Sequence, residues 1–152
     1  MKITFFIGNK LFYIRILPSG KIHRLLFVTT QGGGMEIIMP KNYLLIYSEQ
    51  LASEIELLCQ NIKAPSNTLF QIRKSSSSIY ANVREANYGQ SRSDMISKFE
   101  IALKECNETE GWLKLLFNTN VINEEIFKNY RNLCGRIRRM LIASCKTLKE
   151  VT

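Results

Sequence analysis

The residues with the clearest chemical potential in this chain are arginines. The segment GRIRRM at Gly135–Met140 sets Arg136, Arg138 and Arg139 close together. On a helix Arg136 and Arg139 share a face and Arg138 lies one residue round from it. A guanidinium is a planar fork of donors that matches phosphate oxygens, so such a cluster suits a phosphodiester backbone. Arg131 and Lys146 extend the same segment, and Arg73 with Lys74 forms a smaller basic pair upstream. These seven residues are the candidates for contacting RNA or DNA. Contact of this kind is largely independent of base sequence and weakens steeply with salt. Two ordinary explanations stand beside it: a solvated basic face, and pairing with acidic residues of a neighbouring copy of the chain.

Other chemistries lack their parts. Asn82, Glu85, Glu105 and Glu108 form a polar set, but a dinuclear metal site in a bundle needs Glu-x-x-His on two helices. The one histidine, His23, lies far upstream of them. No metal or cofactor is therefore expected. The four polar residues are expected instead to hydrogen-bond helix ends or neighbouring protomers and so fix register. Serine and cysteine nucleophiles would also need a histidine base, which only position 23 could supply. GNKLFYIR lacks the phosphate-loop pattern, and Gly32-Gly33-Gly34 is followed by neither Lys-Ser nor Lys-Thr. Cys59, Cys106, Cys134 and Cys145 form no C-x-x-C pair and read as small apolar residues in a reducing, cytoplasmic setting. No catalysis and no small-molecule substrate are expected.

Composition agrees with a globular chain: 45% hydrophobic, 22% charged, 152 residues, enough to bury one core. The longest apolar runs are far too short to span a bilayer, and the N-terminus lacks a clear signal-peptide pattern, so no membrane partner is expected. Net charge is +8, yet residues 1–34 hold five basic residues and no acid, leaving +3 for the remainder.

The elements that would position the arginines follow from hydrophobic periodicity. From Tyr43 to Ile62 the stripe is Leu44, Tyr47, Leu51, Ile55, Leu58 and Ile62, a helical spacing of three and four. Ala64-Pro65-Ser66-Asn67 ends that helix, with Ser66 or Asn67 available to cap the next. A second helix is predicted over Thr68–Tyr88, with Leu69, Ile72, Ser76, Ile79, Val83 and Ala86 in phase and Gly89 as its stop. The serine run Ser75–Ser78 keeps that phase and so reads as helix, not linker. Ser91 and Asp94 open a third helix along Met95, Phe99, Ala102, Cys106, Thr109, Leu113 and Leu116. Asn123 with Glu124 and Glu125 opens a fourth, along Ile126, Tyr130, Leu133, Ile137, Leu141, Ser144 and Leu148. Short turns between long helices force antiparallel neighbours. The predicted fold is all-α, an up-down-up-down four-helix bundle occupying residues 35–152.

Residues 1–34 read differently. FYIRIL and KIHRLLFV flank Pro18-Ser19-Gly20, which suits a short β-hairpin or an extended extension. The alternative is a mis-assigned start, with Met35 or Met39 in place of Met1.

At SSSIYANVREANYGQSRSDMISKFEIALKECNETEGWLKLL the chain resembles a bacterial four-helix bundle family that includes proteins encoded in intervening sequences of 23S ribosomal RNA genes. The residues that carry the resemblance are Ser78, Ile79, Ala81, Asn82 and Glu85, then Ala102, Leu103, Glu105, Glu108, Thr109, Trp112 and Leu113. It extends from about Tyr43 to Lys149. Where relatives resemble Glu-Gly, this chain has Glu85-Ala86, so the second helix is expected to continue to Tyr88. The resemblance, which extends to accessory proteins of diversity-generating retroelements, implies a homopentameric barrel with basic surfaces. It also implies nucleic-acid or reverse-transcriptase partners.

Overall fold

The computed structural model describes residues 42–150 with their side chains and, for residues 2–7, 10–16, 22–31 and 34–38, the backbone. The chain forms two separate units, 1–42 and 43–152. In the first, four strands, β1 (Lys2–Ile7), β2 (Lys10–Ile16), β3 (Ile22–Gln31) and β4 (Gly34–Ile38), pair antiparallel in chain order. The two runs expected to form a hairpin are β2 and β3, with Tyr13 opposite Leu26. The turn at Pro18-Ser19-Gly20, the pair Gly32-Gly33 and Met39 lie outside the described residues.

The second unit is a four-helix bundle: α1 (Tyr43–Asn61), α2 (Ser66–Ala86), α3 (Arg92–Asn118) and α4 (Glu124–Glu150). No helix among the described residues is long and apolar enough to cross a membrane. Each helix packs against its chain neighbours and α4 closes back on α1, which leaves α2 and α4 diagonally opposed. Three cross-helix contacts set the antiparallel registers. Tyr130 Oη on α4 donates to the Glu54 carbonyl of α1 at 3.3 Å, Glu85 of α2 pairs with Lys98 of α3, and Ser75 of α2 meets Thr109 of α3.

The core follows the expected stripes closely on α3, where Phe99, Ala102, Cys106, Thr109, Leu113 and Leu116 are all buried and Met95 is half-buried. On α2 the buried set is Thr68, Ile72, Ser75, Ser76, Ile79, Val83 and Ala86. Ser75–Ser78 is helical throughout. Each of Ser75, Ser76 and Ser77 places its hydroxyl near the carbonyl three residues back, at 3.3, 3.1 and 3.0 Å, so burial of the first two leaves no hydroxyl unsatisfied. On α4 the seam is rotated from the expected one. Cys134, Gly135, Ile137, Leu141 and Cys145 are buried, while Ile126, Tyr130, Leu133, Ser144 and Leu148 are half-buried at its margin. Two cysteines belong to that line, and Cys134 packs against α3 with its carbonyl 3.8 Å from Cys106 Sγ.

The helix ends correct two expectations. α2 begins at Ser66, with Pro65 in the capping position and no side-chain cap, since the fixed proline torsion already leads into the first turn. Neither Ser66 nor Asn67 caps it. At its other end α2 stops at Ala86, not Tyr88. The amides of Asn87, Tyr88 and Gly89 each reach back only three residues, to the carbonyls of Arg84, Glu85 and Ala86, a tightened turn that follows the last buried residue. The caps of α3 and α4 match expectation. Ser91 Oγ accepts the Asp94 amide at 3.1 Å, and Asn123 Oδ1 accepts the Ile126 amide at 2.8 Å. Between them α3 ends with Asn120 left-handed at φ 56°, its amide on Phe117 and the Val121 amide on Leu116, a closure that suits asparagine.

Candidate nucleic-acid interface

The long amphipathic helix α4 presents its polar side as a row of cations. Arg131, Arg136, Arg138 and Arg139, together with Asn132 and Gly135, line one open groove of about 490 Å³. No acid is among these lining residues. Gly135 lies between the arginines, where a Cβ would stand 3.5 Å from Arg139 Nη1, so its lack of a side chain helps keep the groove floor low.

The four guanidiniums are not equivalent. Arg138 leans towards α3, where its Nη1 donates to Glu110 Oε2 at 2.7 Å, with Glu110 side-chain exposure of 20%. Glu110 Oε1 is buried and has no hydrogen-bond partner among the described residues. Arg136 leans towards α1, its guanidinium carbon 5.0 Å from the centre of the Tyr47 ring, a cation–π contact. Arg131, Arg136 and Arg139 are exposed and make no ion pair among the described residues. Lys146 lies on the same side roughly two turns beyond Arg139, 3.7 Å from Glu150 Oε1.

Arg73 and Lys74 lie elsewhere. α2 is diagonal to α4, and Arg73 turns to Glu56 of α1 at 3.0 Å, while Lys74 is exposed beside Phe70 and Ser77. One protomer therefore does not gather the basic residues of α2 and α4 into one patch. Part of the positive charge of α4 is matched within the chain, since Arg138 and Lys149 pair with Glu110 and Glu100 of α3.

No three histidine, cysteine, aspartate or glutamate side chains converge as a metal site among the described residues. All four cysteines are buried in the bundle, and burial is the first cause that raises each thiol. Cys106 is pushed up to about 12, and Cys134 is also raised, with Cys106 and Glu110 nearby adding to the effect of burial. These thiols stay protonated at neutral pH and are poor nucleophiles.

A family model described as 23S rRNA-intervening sequence protein matches residues 45–143. The chain belongs to that family. A crystal structure of a protein with unknown function from the S23 ribosomal protein family of Bacteroides thetaiotaomicron VPI-5482 is 40% identical, with a TM-score of 0.66. It is matched over 68% of this chain and 98% of its own. No curated protein matches the chain.

The signature residues of this intervening-sequence family member do not lie in the arginine groove. Ser78, Asn82 and Glu85 of α2 and Glu105, Glu108 and Trp112 of α3 flank the α2–α3 seam, half-buried or exposed. Asn82 Nδ2 donates to the Ser78 carbonyl at 2.9 Å and to Ser78 Oγ at 3.2 Å, Trp112 Nε1 donates to Glu108 Oε1 at 3.3 Å, and Glu85 binds Lys98. Sequence reasoning missed Asn132 and Gly135 in the groove and Tyr47 beneath Arg136. Their positions one helical turn from Arg136 or Arg139, or across the α1–α4 contact, became visible only with the helix registers.

Proposed function

We propose that this intervening-sequence family member is a non-catalytic, oligomeric binding module that takes nucleic-acid phosphates in the arginine groove of α4. The observation that carries the reading is four arginines lining one acid-free groove, three of them without an ion-pair partner among the described residues. Phosphate contacts of this kind add affinity without reading bases. The absence of catalysis rests on protonated thiols and on a sequence with one histidine, His23. The test is a titration of structured RNA and of duplex DNA with the full chain. Arg139→Glu should lose at least about tenfold in affinity, with charge reversal adding repulsion to the lost contact. Lys128→Glu, at a cation already paired with Glu124, should change little. Equal binding by both variants and the parent would remove the reading.

The oligomer has its own support. Ile101 and Leu115 of α3 are 40% and 42% exposed and lie two heptads apart on one line with Glu108, beside Trp112 and the α2 signature residues. We assign the contact between protomers to this α2–α3 face, with five protomers as the expected number. Light scattering counts them, and Ile101→Lys with Leu115→Lys should yield monomer. The same stripe favours a second reading, a scaffold for protein partners that binds no nucleic acid. It predicts an intact oligomer with no salt-dependent affinity for RNA or DNA.

A further inference from the structure

Beside the arginine groove the first and last helices build an aromatic step. Tyr43 and Tyr47 stand one turn apart on α1, their rings stacked with centroids 6.0 Å apart and planes at 27°. Tyr43 is 51% exposed. Arg136 covers the Tyr47 ring at 5.0 Å and also lines the arginine groove, so one guanidinium belongs to both the aromatic column and the phosphate row. The α1–α4 register places Tyr43 at the level of Arg139 and Met140, because Tyr47 faces Arg136 and the chains run antiparallel. On the other side of Arg136 a second groove of about 340 Å³ is lined by Gln50, Glu54, Asn129, Asn132 and Leu133.

We propose that the Tyr43–Tyr47–Arg136 column stacks unpaired bases, so that the partner of the arginine groove is single-stranded nucleic acid and not a duplex. This rests on the phosphate reading of the groove. A duplex offers α4 its backbone and base edges but no free π-face, because its bases are already stacked on one another. A single strand offers both groups at once, a π-face for an exposed tyrosine and a phosphate for an adjacent arginine. From Arg131 to Arg139 the helix rises by about 12 Å, the length of about three nucleotides in a stacked strand. Glu54, which accepts a 2.8 Å hydrogen bond from Gln50, puts negative charge at the far end of the second groove. A strand is therefore turned from Glu54 towards Tyr43 and Arg139. The amides of Gln50 and Asn132 line the stretch between them.

The test uses fluorescence anisotropy with the full chain, a polyuridine oligonucleotide, and the same oligonucleotide paired with polyadenine. The single strand should bind at least about tenfold more tightly than the duplex. Tyr43→Leu should weaken the single strand about fivefold or more, the scale of one base stack, and leave the duplex unchanged. Tyr43→Phe keeps the ring and should bind as the parent does. Tyr43 is half exposed, so an unchanged circular-dichroism melt is expected for both variants. If duplex and single strand bind equally and Tyr43→Leu changes neither, while Arg139→Glu weakens both, the stacking inference is overturned and the phosphate reading survives. If Arg139→Glu changes neither affinity, the phosphate reading fails and the inference fails with it.

Discussion

Ser75 Oγ on α2 and Thr109 Oγ1 on α3 lie 2.8 Å apart, with both residues fully buried. Each oxygen also reaches a carbonyl of its own helix, Ile72 at 3.3 Å and Glu105 at 2.9 Å. The pair is a polar rivet through an otherwise apolar seam, flanked by Ile72, Ile79, Cys106 and Leu113. It fixes the register in which the α2–α3 signature residues come together.

Replacing Thr109 with Val keeps the shape and removes the hydroxyl, leaving Ser75 dependent on its longer bond to Ile72. Thr109→Val should cost about 1–2 kcal/mol in urea unfolding. Ser75→Ala combined with Thr109→Val should cost less than the two single changes added together, because the second removes a hydroxyl that the first has already deprived of its partner across the seam. Strict additivity would show that the two hydroxyls do not interact.

The Arg138–Glu110 pair makes a second prediction. Glu110 is mostly covered and one of its oxygens has no hydrogen-bond partner among the described residues, so Arg138→Ala leaves a partly buried carboxylate without its cation. The half-exposed guanidinium is screened by solvent, so the expected loss is about 1–2 kcal/mol. Lys128→Ala, which breaks an exposed pair on one helix, should stay within about 0.5 kcal/mol. Thermal melts of the two variants decide it, and equal effects would contradict the burial argument.

The buried thiols set the alkaline limit of the fold. Cys106 is raised from 9.0 to about 12 in the bundle, with burial as the first cause. An unfolded chain releases that proton near 9 while the folded chain holds it. Stability is therefore intact below pH 9 and falls as pH rises from about 9 towards 12. Cys134, raised in the same direction, adds to the slope. Cys106→Ala should flatten the loss of melting temperature between pH 8.5 and 10.5 relative to the parent chain, as expected from removing one linked proton. A parent chain whose melting temperature rises over that range would reverse the sign of the argument.

Much of the bundle was legible because its helices obey one rule at a time. On α3 the three-and-four spacing named every residue of the buried line, and Ser91 and Asn123 announced their caps because such side chains satisfy free amides at helix starts. On α4 the same rule went off phase. Cys134, Gly135 and Cys145 are small and do not compete with leucine or tyrosine in a hydrophobic pattern, yet all three are buried, Cys134 directly against Cys106 of α3. The site was legible as residue types and not as a surface. Seven basic residues were candidates, but which of them share a groove depends on helix order, and that order sends Arg73 to Glu56 and Arg138 to Glu110. Tyr47 packs at the margin of the core, as its place in the stripe implied, and the second role of its ring, under Arg136, appeared only with α4 in place.

The most direct measurement of the central claim is the salt dependence of nucleic-acid binding for the parent chain and for Arg136→Gln with Arg139→Gln. Each phosphate contact contributes about 0.9 to the slope of log affinity against log salt for a duplex and about 0.7 for a single strand. The parent slope should be steep and should fall by about 1.4–1.8 in the double variant. A variant with the parent's slope and affinity would contradict it, because the phosphates would then be held somewhere other than the α4 groove.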